Sequence, residues 1–309
     1  MKRVLITGGS GFLGRALSEH LISADYEVRW LSRSLNIYKP TGVKVYLWDV
    51  NKGYLDRKAL EDVNVIVHLS GAGIADKRWT SKYQQEIIRS RIFTASMLAV
   101  CLKEMNIKLD GFIGGSAVGY YGTEKTDKVF TEDDKEGKDF LAKVCYVWEK
   151  TYDLIKELNI RTCIVRTGLV LSEKGGFYKK VAPIFKYGLG ATLGDGKQYM
   201  PWISVDDWCG IVKFLIENQK CEGIFNAVQG SYITHQEFAK LLAESFNKKI
   251  LAIKIPEWFL KILLGESSEI LTRGVKVSSK KIRQCGYEFQ HNNLVQLFQQ
   301  LKMKYERES

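Results

Sequence analysis

The sequence predicts an α/β protein: a doubly wound parallel sheet with a small, mostly helical C-terminal lobe. Three observations carry this expectation. Short β-rich runs alternate with helical stretches through the first 170 residues. One of those runs, Val63–Leu69, is apolar almost without a break, as a strand covered on both faces must be. A cluster of glycines stands between the first strand and the first helix.

Taken in order, Arg3–Thr7 is the first strand, and after the glycines Ala16–Ser23 shows helical spacing. Glu27–Leu31 and Val43–Trp48 read as the next strands, with Val63–Leu69 the fourth. A long helix covers Lys82 to Glu104, Gly111–Ser116 ends another strand, Asp139–Leu158 is helical and Arg161–Arg166 is strand again. Such alternation implies right-handed crossovers with helices on both faces. After Leu171 the rhythm loosens. Gly175–Gly196, glycine-rich and basic, reads as a loop-rich lobe near the site. Asp206–Asn218 reads as a helix, Gly223–Val228 as one more strand, and the chain from Ile233 as helical pieces.

With 309 residues and 45% hydrophobic content, the chain can bury one large core, or a large and a small one. Its net charge of +11 raises the question of nucleic acid, but the basic residues are scattered and no nucleic-acid motif is present. No nucleic-acid partner is therefore expected. The six cysteines show no metal-ligand or CxxC spacing and the four histidines are isolated, so free thiols and no metal site are expected. Met1 runs directly into a strand and no apolar stretch has the length of a membrane span. The protein is expected to be cytoplasmic, off the membrane, and a monomer or homodimer.

The glycines form Gly-x-x-Gly-x-x-Gly at Gly8, Gly11 and Gly14. Gly8 permits the tight strand-to-helix turn, Gly11 lets backbone approach a pyrophosphate, and Gly14 lets the helix pack close to the sheet. Phe12 and Leu13 lie between the last two and are counted with them as cofactor-binding. A dinucleotide-binding Rossmann domain is expected over residues 1–170, completed by the strand near 223–228, with a substrate lobe and helical extension over 171–309. An NAD-preferring site carries an acid at the end of its second strand, to bond the ribose 2′-hydroxyl. Here Ser32 and Arg33 follow Leu31, so NADP(H) is favoured over NAD(H).

The spacing of the glycines resembles the short-chain dehydrogenase/reductase superfamily, and longer strings narrow the match. Gly73–Thr80, Ser90-Arg91, Ser116–Gly122, Phe140–Glu149, Arg166–Leu171, Met200–Asp207, Leu263–Glu266 and Gly286–Phe289 occur in order. Together they resemble the YfcH-like epimerase family, an atypical branch of the extended short-chain dehydrogenase/reductases with its own C-terminal extension. The resemblance implies an extended Rossmann sheet and a nicotinamide cofactor. It also implies that Asp49 and Val50 lie near the adenine, and that Ser70, Gly71 and Ala72 let backbone approach the cofactor. Arg91 falls where many extended members have an active-site Asn; it could hold the cofactor or an anionic substrate, or pair with Asp206 or Asp207.

The superfamily's chemistry uses a Ser/Thr hydroxyl, a Tyr acid/base and a Lys that lowers the Tyr pKa. Laid over the extended pattern, Ala117 takes the place of the usual hydroxyl; Ser116, one position earlier, is the candidate catalytic hydroxyl in its stead, or else caps the strand end beside the cofactor. A literal Tyr-x-x-x-Lys exists at Tyr146 and Lys150 on one helix face. The family's pair, however, would fall near Leu141 and Cys145. Tyr120 and Tyr121, beside Ser116, are the better candidates for a proton-handling phenol. Met200 replaces an Arg that clamps the diphosphate of sugar nucleotides in relatives, leaving Lys197 or Arg273 to compensate. Trp79, Met200 and Trp202 suggest an apolar substrate pocket, or equally core aromatics between lobes. Three functions stay open: an NADP-dependent oxidoreductase of a small carbonyl or hydroxyl compound, a nucleoside-diphosphate-sugar epimerase or dehydratase, and a catalytically degenerate NADP-sensing protein.

Overall fold

The first strand shows why the sheet is covered twice. In β1 (Arg3–Thr7), successive side chains point to opposite faces, and Val4 and Ile6 join one core cluster while Leu5 joins another. The computed structural model describes residues 1–124 and 126–308. The main sheet continues with β2 (Glu27–Ser32), β3 (Lys44–Asp49), β4 (Tyr54–Leu55), β5 (Val65–His68), β6 (Gly111–Ala117), β7 (Thr162–Thr167) and β8 (Gly223–Ala227). Its order is β8-β7-β6-β5-β1-β2-β3-β4. All neighbours are parallel except the edge pair of β3 and β4.

Helix α1 (Phe12–Ile22) covers one face, where its Leu17 and Leu21 meet Val28 and Trp30 of β2. Helices α2 (Ser81–Glu104) and α3 (Phe140–Thr151) cover the other, through Ala95, Leu98 and Leu102 and through Trp148. A short α4 (Asp153–Lys156) follows α3, so the helix expected over residues 139–158 is two pieces. Helix α1 begins at Phe12, four residues before the expected start, because Gly14 belongs to the helix rather than to the loop.

The segment 175–196 was expected to be loop-rich and is not. It contains α5 (Gly176–Lys186) and a two-residue strand, Thr192–Leu193, paired with Lys254–Ile255. Its glycines mark the ends of these elements: Gly175 caps α5, while Gly176, Gly188, Gly194 and Gly196 have positive φ. Helix α6 (Val205–Glu217) returns the chain to the sheet face. Among the described residues, five α-helices follow: α7 (His235–Ser245), α8 (Glu257–Leu264), α9 (Glu269–Thr272), α10 (Lys280–Gln284) and α11 (Leu294–Glu308). α5, α7 and α11 enclose a third cluster around Tyr178, Phe238 and Phe298. No helix among the described residues is long and apolar enough to cross a membrane, and all six cysteines are free thiols.

Candidate functional site

The strand order reverses between β1 and β5, and in open α/β sheets ligands bind at such a crevice, outside the carboxyl ends of the strands. Gly8 follows β1 with φ +70°, and a Cβ on it would lie 2.9 Å from the Leu69 carbonyl carbon. The two strand ends therefore meet with only bare backbone between them. A Cβ on Gly14 would lie 2.4 Å from the Gly8 oxygen, so α1 sits directly on the turn. Gly11 caps α1 with extended backbone and without a side-chain hydrogen bond, leaving the first-turn amides to other acceptors. Gly9 was not singled out in the sequence, yet a Cβ there would strike the Trp30 indole at 2.4 Å. A cradle that any Cβ would fill, ending on uncapped amides, fits a dinucleotide phosphate.

The crevice floor is braced from beneath. Thr7 Oγ1 accepts from the Leu69 and Ser70 amides at 3.2 and 3.3 Å and donates to His68 Nδ1 at 2.8 Å. His68 Nε2 lies 3.3 Å from Thr94 Oγ1 on α2. Full burial pushes the His68 pKa down to about 3, so the ring is neutral and serves as a relay of hydrogen bonds. The tautomer that satisfies both contacts carries its proton on Nε2.

At the rim, β2 ends in Ser32, and Arg33 is exposed with no ion pair among the described residues. Asp49 caps the short turn Val50–Lys52 by accepting from Asn51 N at 3.1 Å, and Val50 is half-buried beside it. Phe12 is half-buried, its ring 2.5 Å from where a Gly175 Cβ would be, and Leu13 packs against the first core cluster. Gly71 is exposed while Ser70 is buried. Arg91 lies against that stretch and donates through Nη1 to Ala72 O at 3.1 Å and Ile87 O at 2.9 Å. It does not pair with Asp206 or Asp207. Asp207 instead accepts from Ser204 Oγ and from the Gln290 and His291 amides, at the start of α6.

Beyond β6 a buried polar network takes up the residues expected to handle protons. Arg166 on β7 holds Glu149 of α3 with two hydrogen bonds, Nε to Oε1 at 2.8 Å and Nη2 to Oε2 at 2.9 Å. Ser116 donates to the same Glu149 Oε1 at 2.6 Å. Tyr121 donates to Asn226 Oδ1 at 2.6 Å and accepts from Arg166 Nη1 at 3.1 Å; burial pushes its pKa up to about 12. The Tyr120 ring lies 3.4 Å from the Arg166 guanidinium carbon, and its hydroxyl reaches Glu136 at 3.4 Å. Burial raises the Tyr120 pKa against the lowering pull of Arg166. Tyr146 is exposed on α3, and Lys150 is turned to Asp153 at 3.4 Å, so this pair faces solvent.

Of the three residues suggested for a substrate pocket, Met200 and Trp202 are brought together and Trp79 lies apart. Trp79 packs on Phe140, with ring centres 5.0 Å apart, in a small cluster of its own. Met200 and Trp202 are buried in the third cluster, where Trp202 donates to Ser231 at 2.7 Å. Arg273 faces Glu257 at 4.0 Å. Among the described residues, no group of three metal-binding side chains converges.

Residues 4–227 match the NAD dependent epimerase/dehydratase family, and residues 255–301 match a domain of unknown function, DUF1731. The chain belongs to the NAD-dependent epimerase/dehydratase family. Its curated relatives include the epimerase family protein ML0860 of Mycobacterium leprae, 32% identical over 94% of this chain and 92% of that one. The epimerase family protein YfhF of Bacillus subtilis is 31% identical over 94% and 95%. Among solved structures, human epimerase family protein SDR39U1 with NADPH superposes with a TM-score of 0.86 at 27% identity, covering 97% of this chain and 99% of that one. A UDP-glucuronic acid 4-epimerase from Bacillus cereus shares the fold, with a TM-score of 0.80 at 17% identity and 99% of each chain covered.

In this member of the epimerase/dehydratase family, the polar centre beyond β6 is closed by a buried ion pair. Arg166, 1% exposed, and Glu149, 7% exposed, were not marked as functional in the sequence. The polar residues of RTGLVL and YVWE, each within an otherwise apolar run, were the signal available.

Proposed function

We propose that the chain binds NADP(H) across the carboxyl edge of its sheet and passes hydride between that cofactor and a small carbonyl or hydroxyl compound. The observation that carries the cofactor preference is the end of β2. Arg33 is exposed, makes no ion pair among the described residues, and has no neighbouring carboxylate in Leu31-Ser32-Arg33-Ser34. A guanidinium there would donate charge-assisted hydrogen bonds of about 1.5–3 kcal/mol each to a 2′-phosphate. The NADPH named with the human relative supports the same reading.

Gly8, Gly11, Phe12, Leu13 and Gly14 would hold the pyrophosphate side, Asp49 and Val50 the adenine side, and Ser70, Gly71 and Ala72 the middle. A bound nicotinamide supplies or takes up the hydride. Tyr120 is the residue best suited to move the accompanying proton. Its phenol is kept protonated by burial, while the Arg166 charge against its ring favours the phenolate that donation leaves. Met200 brings no charge to a nucleotide diphosphate, so the sugar-nucleotide reading has less support.

A second reading, an NADP(H)-responsive protein without turnover, is favoured by one observation: the hydroxyls of Ser116 and Tyr121 already donate hydrogen bonds within the protein, to Glu149 and Asn226. One experiment separates the two. Nicotinamide absorbance is followed with purified protein against a panel of aldehydes, ketones and alcohols. Hydride transfer predicts turnover that falls about a hundredfold in Tyr120→Phe with NADPH affinity retained. Tight NADPH binding with no oxidation on any panel member contradicts the oxidoreductase.

A further inference from the structure

The protein buries two arginines beside the crevice, and they are treated differently. Arg166 is matched by both oxygens of Glu149. Arg91, 5% exposed, makes no ion pair among the described residues. The titratable groups that interact with its charge are Cys145, Tyr152, Tyr83 and His68, all kept neutral by burial. Its Nη1 is used by two carbonyls, but its Nε is buried without a hydrogen-bond partner. One face of the guanidinium rests on the Trp148 ring at 4.6 Å.

The neighbouring backbone leaves the guanidinium reachable. Gly71 is exposed, and a Cβ on it would lie 3.1 Å from the Arg91 guanidinium carbon and 3.2 Å from Nη1. Any side chain at this position would cover the charge. A buried cation without a counter-charge is unfavourable, and a ligand anion paired with it offsets that cost. A planar fork suits the two oxygens of a carboxylate or phosphate better than an ammonium would.

We propose that Arg91 is an anion receptor in the crevice wall, completed by a carboxylate or phosphate group of a small-molecule ligand. The proposal deepens the cofactor-dependent reading and rests on it for the ligand's place. The anion belongs either to the substrate or to the cofactor.

The test titrates inorganic phosphate and propionate separately into wild type, Arg91→Met, Arg91→Lys and Gly71→Val, with binding read from tryptophan fluorescence and melting temperature. Wild type is expected to give saturable responses to at least one anion, because Trp148 lies against the receptor. Arg91→Met and Gly71→Val are each expected to weaken the response about tenfold or more, with Arg91→Lys in between. The first removes the charge, while the second leaves the charge and covers it. Repeating the titration at saturating NADPH assigns the source. A propionate response that survives points to a substrate carboxylate, and loss of both responses points to a cofactor phosphate. Identical anion responses in wild type and Arg91→Met overturn the proposal. Failure of wild type to bind NADPH overturns the cofactor reading instead, and leaves the comparison of Arg91 variants to stand on its own anions.

Discussion

Glycine inside a helix ordinarily costs stability, yet Gly14 occupies the first turn of α1 because its Cβ would meet the Gly8 oxygen and Gly9 Cα at 2.4 and 2.6 Å. Gly14→Ala is expected to push α1 off the turn, lower stability by about 1–3 kcal/mol in urea titrations and abolish NADPH binding. Removing one partner of the buried pair should cost more: Glu149→Ala, which strands Arg166, is expected to destabilise by about 3–5 kcal/mol. His68 provides a pH signature. Its folded pKa of about 3 lies below the ordinary 6.5, so the unfolded chain binds the extra proton in that window. Its contribution is therefore complete above pH 6.5 and is lost as pH falls towards 3, at up to about 1.4 kcal/mol per pH unit. Urea titrations from pH 7 to about 4.5 should show a flatter slope for His68→Gln; an unchanged slope would rule this out. At this scale the glycine roles were legible because each follows from backbone sterics. The Arg166–Glu149 pair was not, since only the fold brings α3 and β7 side by side.

Elements built on local signals could be read from the sequence, and those set by packing were displaced. Seven of the main-sheet strands were read in the right order and type because their apolar runs are short and bounded, whereas β4, two residues at the antiparallel edge, left no such run and was not read. The start of α1 was placed late because a glycine was read as a loop residue. α5 was missed because flanking glycines and Pro183 hide an apolar face of Tyr178, Ala182 and Phe185. A cap seen in the structure offers a test at this scale. Thr234 accepts from Glu237 N at 3.4 Å while Glu237 accepts from Thr234 N at 2.9 Å, a reciprocal capping box on α7. Thr234→Ala is expected to cost about 1 kcal/mol in the same titrations, with cofactor affinity unchanged.

For the whole molecule, sheet order decides where the site lies. The crossover that places β5 against β1 opens the crevice, and the glycine turn, Leu69–Ala72, Arg33 and Arg91 all border on it. Motif spacing in the sequence pointed to a nicotinamide cofactor. Substrate recognition was not legible, because Trp79 ends in one packed cluster while Met200 and Trp202 end in another. Ligand binding to the folded chain alone should stabilise it by mass action, by about 2.7 kcal/mol when NADPH is present at a hundred times its Kd. The central claim is that the exposed Arg33 makes this an NADP(H) site, and calorimetric titration of NADPH and NADH into wild type and Arg33→Ala tests it most directly. The expected result is NADPH binding about ten- to a hundredfold tighter than NADH in wild type, with the difference erased in Arg33→Ala and NADH affinity unchanged. Equal affinities in wild type, or a preference for NADH, would contradict it.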